Sequence, residues 1–428
     1  MNPVVRQNAK AKDISLMEYI LKKNKALARQ SGLRRTILAA CPNSISVMKA
    51  ALRSAKRANA PIKFATTLNQ VDRDGGYTGL TPKQFVQTIR QEARSINLKS
   101  PVIIAIDHGG PWLKDRHRLE KLSLEEAMRE VKLSFEAAID AGYDLIHVDP
   151  TIDITLNPNE IIDIKVVVDR TVELIKHCEN YRKGKGLPRI AYEVGTEEVH
   201  GGLVDLMVFK SFFELLKTGL EKEGLVDTWP CFVVGKVGTD LHTTEFDPEV
   251  AATIVKIADD YGSVIKGHYS DNVTNPEAYP TSGMGGANVG PEYTEREYES
   301  LMELAEIEHQ LYDDGKIAKL SNLKEVLWQA VISSNRWKKW LSKEEDPSNF
   351  HANSPQRQEW LIKTGCRYIW QQPEVEMARR LMYCNLEQNN IKAEEIVLSK
   401  IEKAMDKYYF MFNLIDLNEH LLEEEPII

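Results

Sequence analysis

The residues best suited to chemistry are Asp107 and His108, in the run Ile106-Asp107-His108-Gly109-Gly110-Pro111. They follow the apolar run VIIA, which predicts a buried β-strand. Neutral imidazole and carboxylate groups suit zinc, manganese, nickel or cobalt, and a carboxylate can also move protons. Because adjacent side chains project to different sides of an extended chain, we predict that His108 binds a divalent metal ion and Asp107 acts as acid/base.

Similar side chains follow other apolar runs. His147 and Asp149 share one face of an extended strand because its period is two, and Glu193 and Glu197 alternate in the same way. The ordinary interpretation of each is a buried histidine or a surface carboxylate, but their recurrence after several runs favours a single site. The predicted metal ligands are His108, His268, Glu193 and His147, and the predicted acid–base residues are Asp107, Glu197 and Asp149.

Polar loops are predicted to hold the substrate. The glycine-rich stretch 282–291 could bring backbone amides to a phosphate, although such stretches are also common in plain loops. The loop NQVDRDGGYTGLTP ends in a predicted helix cap, Thr81 before Pro82, which needs no function. The predicted substrate-binding residues are Gln70, Arg73, Lys236, His242, Asp271, Asn272, Gly286 and Asn288.

The elements that position these residues follow a repeated pattern. Eight short apolar runs begin near residues 36, 62, 102, 145, 189, 231, 263 and 283, with helical periodicity between several of them. This favours a (β/α)8 TIM barrel over an open doubly wound sheet, and the polar residues then lie where such barrels carry active sites. We divide the chain into a barrel carrying the site, residues 1–320, and an all-helical C-terminal extension packed on it, residues 321–428.

Composition argues against several classes of protein. The net charge of −8 does not suit a protein that binds nucleic acid, and we interpret the run Arg336–Trp340 as helix packing. No apolar stretch approaches eighteen residues, so we expect no membrane association. Five cysteines without a CxxC pair favour a reducing compartment, and we expect a cytoplasmic protein.

Several motifs, in order, resemble the GatZ/KbaZ-like family, the accessory subunits of class II tagatose-1,6-bisphosphate aldolase. They are NQVDRDGGYTGLTPKQF, AIDHGGP, AGYDLIHVDPT, VGTE and GHYSDN, and the resemblance continues through RWKKW and CRYIWQQPEVEMARRLMYCNLE. It implies a TIM barrel related to metal-dependent class II aldolases, with His108 as a metal ligand and Asp107 as the proton-transfer residue. The segments DNVTNPEAYPTSGMGGANVGP and KVGTDLHTTEFD depart from the usual family pattern.

Two functions stay open. The first is a metal-dependent enzyme on a ketohexose or ketose phosphate of the fructose or tagatose type, with C4 epimerisation or reversible aldol cleavage through an enediolate. A Lewis acid would polarise the C2 carbonyl while a base takes the C4 hydroxyl proton, although direct proton exchange at carbon is a further route. The second is a non-catalytic subunit that stabilises a class II aldolase catalytic subunit. A homo-oligomer is compatible with either function.

Overall fold

Eight parallel strands close into a barrel in the computed structural model, which describes residues 3–157, 160–195, 205–240 and 243–423. Each strand pairs with the next, and the last pairs with the first from Ile37 opposite Gly286 to Ala40 opposite Val289. The predicted (β/α)8 fold is therefore confirmed. The strands are β1 (Ile37–Ala40), β2 (Ile62–Thr67), β3 (Val102–Gly109), β4 (Leu145–Val148), β5 (Ala191–Gly195), β6 (Phe232–Val234), β7 (Val264–Gly267) and β8 (Gly286–Val289).

Helices surround the barrel and cover the outer faces of the strands, while the inner faces pack against one another inside the barrel. Burial on both faces explains the unbroken apolar runs. Most outer helices begin at a side-chain cap, including the predicted cap at Thr81 with Pro82 in the first turn. The helices up to the end of the barrel are α1 (Pro3–Ala11), α2 (Leu16–Ser31), α3 (Ile45–Ala58), α4 (Pro82–Ser95), α5 (Asp115–Leu119), α6 (Leu124–Ala141), α7 (Ile164–Gly184), α8 (Leu206–Lys222), α9 (Pro248–Asp260), α10 (Ala278–Ser282) and α11 (Pro291–Asp313).

The remaining chain is helical, as the sequence predicts. It contains α12 (Leu323–Ser334), α13 (Pro355–Gly365), α14 (Pro373–Glu387), α15 (Ala393–Met411) and α16 (Leu417–Leu422), with 3-10 turns at Arg336–Trp340, Phe350–Ala352 and Cys366–Tyr368. None of the helices in the described ranges is long and apolar enough to cross a membrane.

The C-terminal helices pack directly on the barrel. Arg53 and Arg57 of α3 pair with Glu402 of α15 at 2.8 and 2.5 Å. The hydroxyl of Tyr408, also in α15, donates a hydrogen bond to Glu292 at the start of α11 (2.6 Å). These contacts connect α15 to α3, the helix that follows β1, and to α11, the helix that follows β8. The division of the chain at residue 320 stays a prediction.

Candidate active site

A cavity of about 520 Å³ lies at the carboxyl ends of the strands, beneath the C-terminal helices. Its floor includes Asp107 and His108 from β3, together with Asn288 from β8. Part of its wall comes from the C-terminal helices, where Tyr368 packs edge-to-face against Tyr77 of the loop after β2, with ring centroids 5.1 Å apart. The cavity is thus lined by the barrel and the C-terminal extension together.

Asp107 is the centre of a buried polar network. Its Oδ1 lies 3.1 Å from Nζ of Lys266, 3.4 Å from Nδ1 of His147 and 3.5 Å from Nε2 of His268. Its Oδ2 accepts a hydrogen bond from the side-chain amide of Asn288 at 2.9 Å. Burial would raise the pKa of Asp107, but Lys266 and the imidazoles hold it well below the usual range. The carboxylate is therefore ionised and fixed in orientation.

His108 adopts an unusual backbone conformation, with φ +50°, where the pairing of β3 with β4 is irregular. Its Nδ1 lies 2.6 Å from Oδ2 of Asp149, whose Oδ1 accepts a hydrogen bond from the Thr151 hydroxyl. Burial lowers the pKa of His108, but Asp107 and Asp149 raise it to about 9. Burial would raise the pKa of Asp149, but the hydrogen bond with His108 lowers it to about 2. Asp149 thus orients the His108 ring and is not among the residues lining the cavity.

Gly110 allows the ends of β3 and β4 to approach closely, because a Cβ there would lie 1.9 Å from the carbonyl oxygen of Asp149. A Gly110→Ala variant is expected to lose about 1–3 kcal/mol of unfolding free energy through overpacking. Urea denaturation measures this loss. Gly184→Ala is a matched control, because its added methyl would meet no atom within 4 Å. Equal stability of the two variants would contradict the close approach.

Two buried lysines complete the network. Nζ of Lys63 lies 3.0 Å from Oε2 of Glu193, and Lys266 pairs with Oε1 of the same carboxylate. Burial would raise the pKa of Glu193, but the two lysines hold it well below its usual range. Sequence reasoning missed both lysines, although each interrupts an apolar strand, in IKFATT and in VIKG. A lysine inside a buried strand requires a charged partner, which was the available signal.

The histidines and carboxylates could hold a metal ion. Ligand atoms of Asp107, His147, Glu193 and His268 lie within 4.8 Å of one another, as do those of His108, His147 and Asp149. Among the described residues, Nε2 of His147 and both ring nitrogens of His268 are buried without a hydrogen-bond partner. The ring centroids of His108 and His268 are 4.5 Å apart. This mixture of imidazole and carboxylate donors fits a divalent cation such as zinc, manganese, nickel or cobalt.

Three predicted substrate-binding residues line the cavity: Gln70, Asp271 and Asn288. Gln70 donates to the side chain of Asn43 at 2.8 Å. Asp271 accepts hydrogen bonds from the backbone amides of Gly290 and Glu292, both at 2.8 Å. The side chains of Gln70 and Asp271 are thus held by residues that follow neighbouring strands, Asn43 after β1 and Gly290 after β8.

Four other predicted substrate-binding residues that the structure describes do not line the cavity. Arg73 pairs with Glu130 at 2.6 Å, and Asn272 bonds to residues of α11. Lys236 follows β6 but is not among the lining residues. Gly286 is the first residue of β8, at the opposite end of the barrel, because the glycine-rich stretch contains the strand itself. Glu197 and His242 lie outside the described residues.

Comparison with known proteins supports the same relationship as the motifs. The family model for the D-tagatose-1,6-bisphosphate aldolase subunit GatZ/KbaZ-like proteins matches residues 22–410. A probable tagatose 6 phosphate kinase from Sinorhizobium meliloti 1021 has a similar structure, with a TM-score of 0.71 and 20% identity, covering 88% of this chain and 100% of that one. A fructose-bisphosphate aldolase from Campylobacter jejuni gives a TM-score of 0.47 and 12% identity, covering 89% and 95% of the two chains. Since the family match spans most of the sequence, the chain belongs to the GatZ/KbaZ-like family.

Proposed function

We propose that this chain is an enzyme that opens the C3–C4 bond of a ketohexose or its phosphate, as an aldolase or a C4 epimerase. The family supports a function related to that of tagatose-bisphosphate aldolase. The observation that carries the proposal is the Asp107 carboxylate, which lines the cavity and contacts Lys266, two imidazoles and Asn288.

The predicted ligands His108, His147, Glu193 and His268 would hold a divalent metal ion in this proposal. Three of them lie in one group with ligand atoms within 4.8 Å of one another, and the ring of His108 is adjacent to that of His268. When bound, the ion would supply Lewis-acid polarisation of the ketose carbonyl. Glu193 differs from the three histidines because its carboxylate also forms ion pairs with Lys63 and Lys266.

Asp107 acts as the base at the C4 hydroxyl. It takes the hydroxyl proton as the C4 oxygen forms a carbonyl, and the electron pair of the C3–C4 bond moves towards C3 and the C2 carbonyl. Lys266 and Asn288 keep Asp107 ionised and oriented before the transfer. Release of the aldehyde, with return of the proton from Asp107 to C3 of the remaining enediolate, completes an aldol cleavage. If the aldehyde turns over and re-adds, the same proton returns to the oxygen and the product is the C4 epimer.

A second candidate is supported by the family description, which names an aldolase subunit. In that function the chain would bind and stabilise a class II aldolase catalytic subunit without turning over sugar itself. The buried network around Asp107 would then be structural, since Lys63 and Lys266 balance both carboxylates.

Metal removal and restoration separates the two candidates. The purified chain, treated with a chelator, is expected to lose turnover by a factor on the order of 10² or more, because carbonyl polarisation is lost, and to regain it with a single divalent metal. The assay is NMR of fructose and tagatose 6-phosphates and 1,6-bisphosphates, followed for C4 inversion or triose release. A metal-loaded chain that is inert on all of them, but activates a class II aldolase subunit, would support the second candidate.

A further inference from the structure

Four cationic side chains line one side of the cavity. Arg336, Lys339 and Arg367 lie in the 3-10 turns Arg336–Trp340 and Cys366–Tyr368 of the C-terminal extension, and Arg118 belongs to α5. We name these four residues the basic cluster. They share the cavity with Asp107 and His108, so a ligand of ordinary size could contact both groups.

The basic cluster carries more positive charge than its own contacts balance. Asp115 pairs with three of its members, at 2.9 Å from Arg118, 2.6 Å from Arg336 and 3.5 Å from Lys339. One carboxylate thus balances the charge of only one of these three cations. The pKa of Asp115 is lowered despite its burial, chiefly by Lys339 and Arg336. An excess of positive charge is left facing the cavity, which attracts an anion.

Arg367 is the member with an unfilled hydrogen-bonding capacity. It is only 8% exposed, and its guanidinium lies over the rings of Trp340 and Tyr368, at 4.5 and 5.1 Å from their centroids. Within the described chain its Nε and Nη2 have no hydrogen-bond partner. Stacking fixes the plane of the guanidinium but leaves these donors unused, which is costly for a buried charge. An arginine fork held in this way matches two oxygens of a phosphate.

We infer that the basic cluster binds the phosphate of the substrate, so that the substrate is a ketose phosphate and the C-terminal helices select it. This inference rests on the proposed function for the reaction that the ketose undergoes, but the binding of its phosphate group does not depend on that reaction. It also assigns the phosphate to a different place from the glycine-rich stretch. Asn288 and Gly290 of that stretch line the cavity, but the side-chain amide of Asn288 already donates to Asp107 and the backbone amide of Gly290 to Asp271. The extension thereby contributes to substrate choice rather than only to packing.

Calorimetric binding to the full chain tests the inference. The probes are D-fructose 6-phosphate, D-fructose and inorganic phosphate. Arg367→Gln is expected to weaken fructose 6-phosphate binding about 10- to 100-fold, as for loss of charge-assisted hydrogen bonds, and Lys339→Gln by a smaller factor. Lys338→Gln is the matched control, because Lys338 is the adjacent lysine of the same turn and does not line the cavity. Binding of unphosphorylated fructose is expected to be unchanged in all three variants.

Two results would overturn the inference. One is equal fructose 6-phosphate affinity in Arg367→Gln, Lys339→Gln and Lys338→Gln. The other is an equal loss of fructose affinity in Arg367→Gln, which indicates a structural role. If Arg367→Gln does not fold, Lys339→Gln and Arg336→Gln decide the question against the same control.

The binding assay also separates this inference from the proposed function. A chain that binds fructose 6-phosphate through the basic cluster but converts no ketose would support the inference and contradict the proposed function. A chain that converts fructose and fructose 6-phosphate with the same kcat/KM, unchanged by these variants, would overturn the inference and leave the proposed function intact.

Discussion

Replacing Asp107 with asparagine is expected to lower kcat by about 10²- to 10⁴-fold, the usual contribution of a positioned general base. The amide has nearly the same shape and can still contact Asn288 and Lys266, but it cannot accept the C4 hydroxyl proton. The loss is expected in kcat rather than KM, because proton transfer belongs to the transition state. NMR of sugar phosphate turnover at saturating metal and substrate measures it.

Asp72→Asn provides the matched control for this variant. Asp72 is also a buried aspartate paired with a lysine, Lys114 at 2.5 Å, but it does not line the cavity. It is expected to alter stability while kcat stays close to that of the unmodified chain. If Asp107→Asn keeps the kcat of Asp72→Asn, Asp107 is not the base and the mechanism is wrong.

The barrel could be predicted from the sequence because its signals are local. Each strand is a short apolar run, and helices such as α4 and α6 begin at caps that the sequence displays, Thr81 and Ser123. Closure depends on the pairing of β1 with β8, which is not encoded in either run alone. The position of Arg367 in the cavity likewise could not be predicted from a local pattern, because it depends on how the C-terminal extension packs onto the carboxyl end of the barrel.

The same distinction applies to the candidate site. His147 and Glu193 meet because both lie on strands whose facing side follows from a period of two, and their pairing register places them side by side. Arg73 and Asn272 were predicted from their positions in polar segments that follow predicted strands. The direction of their side chains is set by partners elsewhere, Glu130 for the first and α11 for the second. Strand periodicity therefore predicts which side chains meet at the site, whereas the direction of a loop side chain depends on partners that a local sequence pattern does not reveal.

Replacing Lys266 with methionine is expected to lower the free energy of unfolding by about 3–5 kcal/mol, the usual cost of removing one partner from a buried ion pair. Lys266 is fully buried and contacts both Asp107 and Glu193. Methionine fills a similar volume, so the cost comes from the uncompensated carboxylates rather than from a void. Urea denaturation measures the change. Lys25→Met, which breaks the exposed pair with Asp259, is the control and should cost at most about 1 kcal/mol.

Adding Glu193→Gln to Lys266→Met tests whether charge balance is the cause. The neutral amide removes one buried negative charge that the ammonium of Lys266 had compensated. Lys63 then loses the negative charge of its partner at residue 193. The double variant is therefore expected to be more stable than the sum of the two single losses predicts, by about 0.5–3 kcal/mol, as for directly coupled residues. Strict additivity would mean that Lys266 and Glu193 do not compensate each other. If Lys266→Met loses no more unfolding free energy than Lys25→Met, Lys266 does not compensate the buried carboxylates at all.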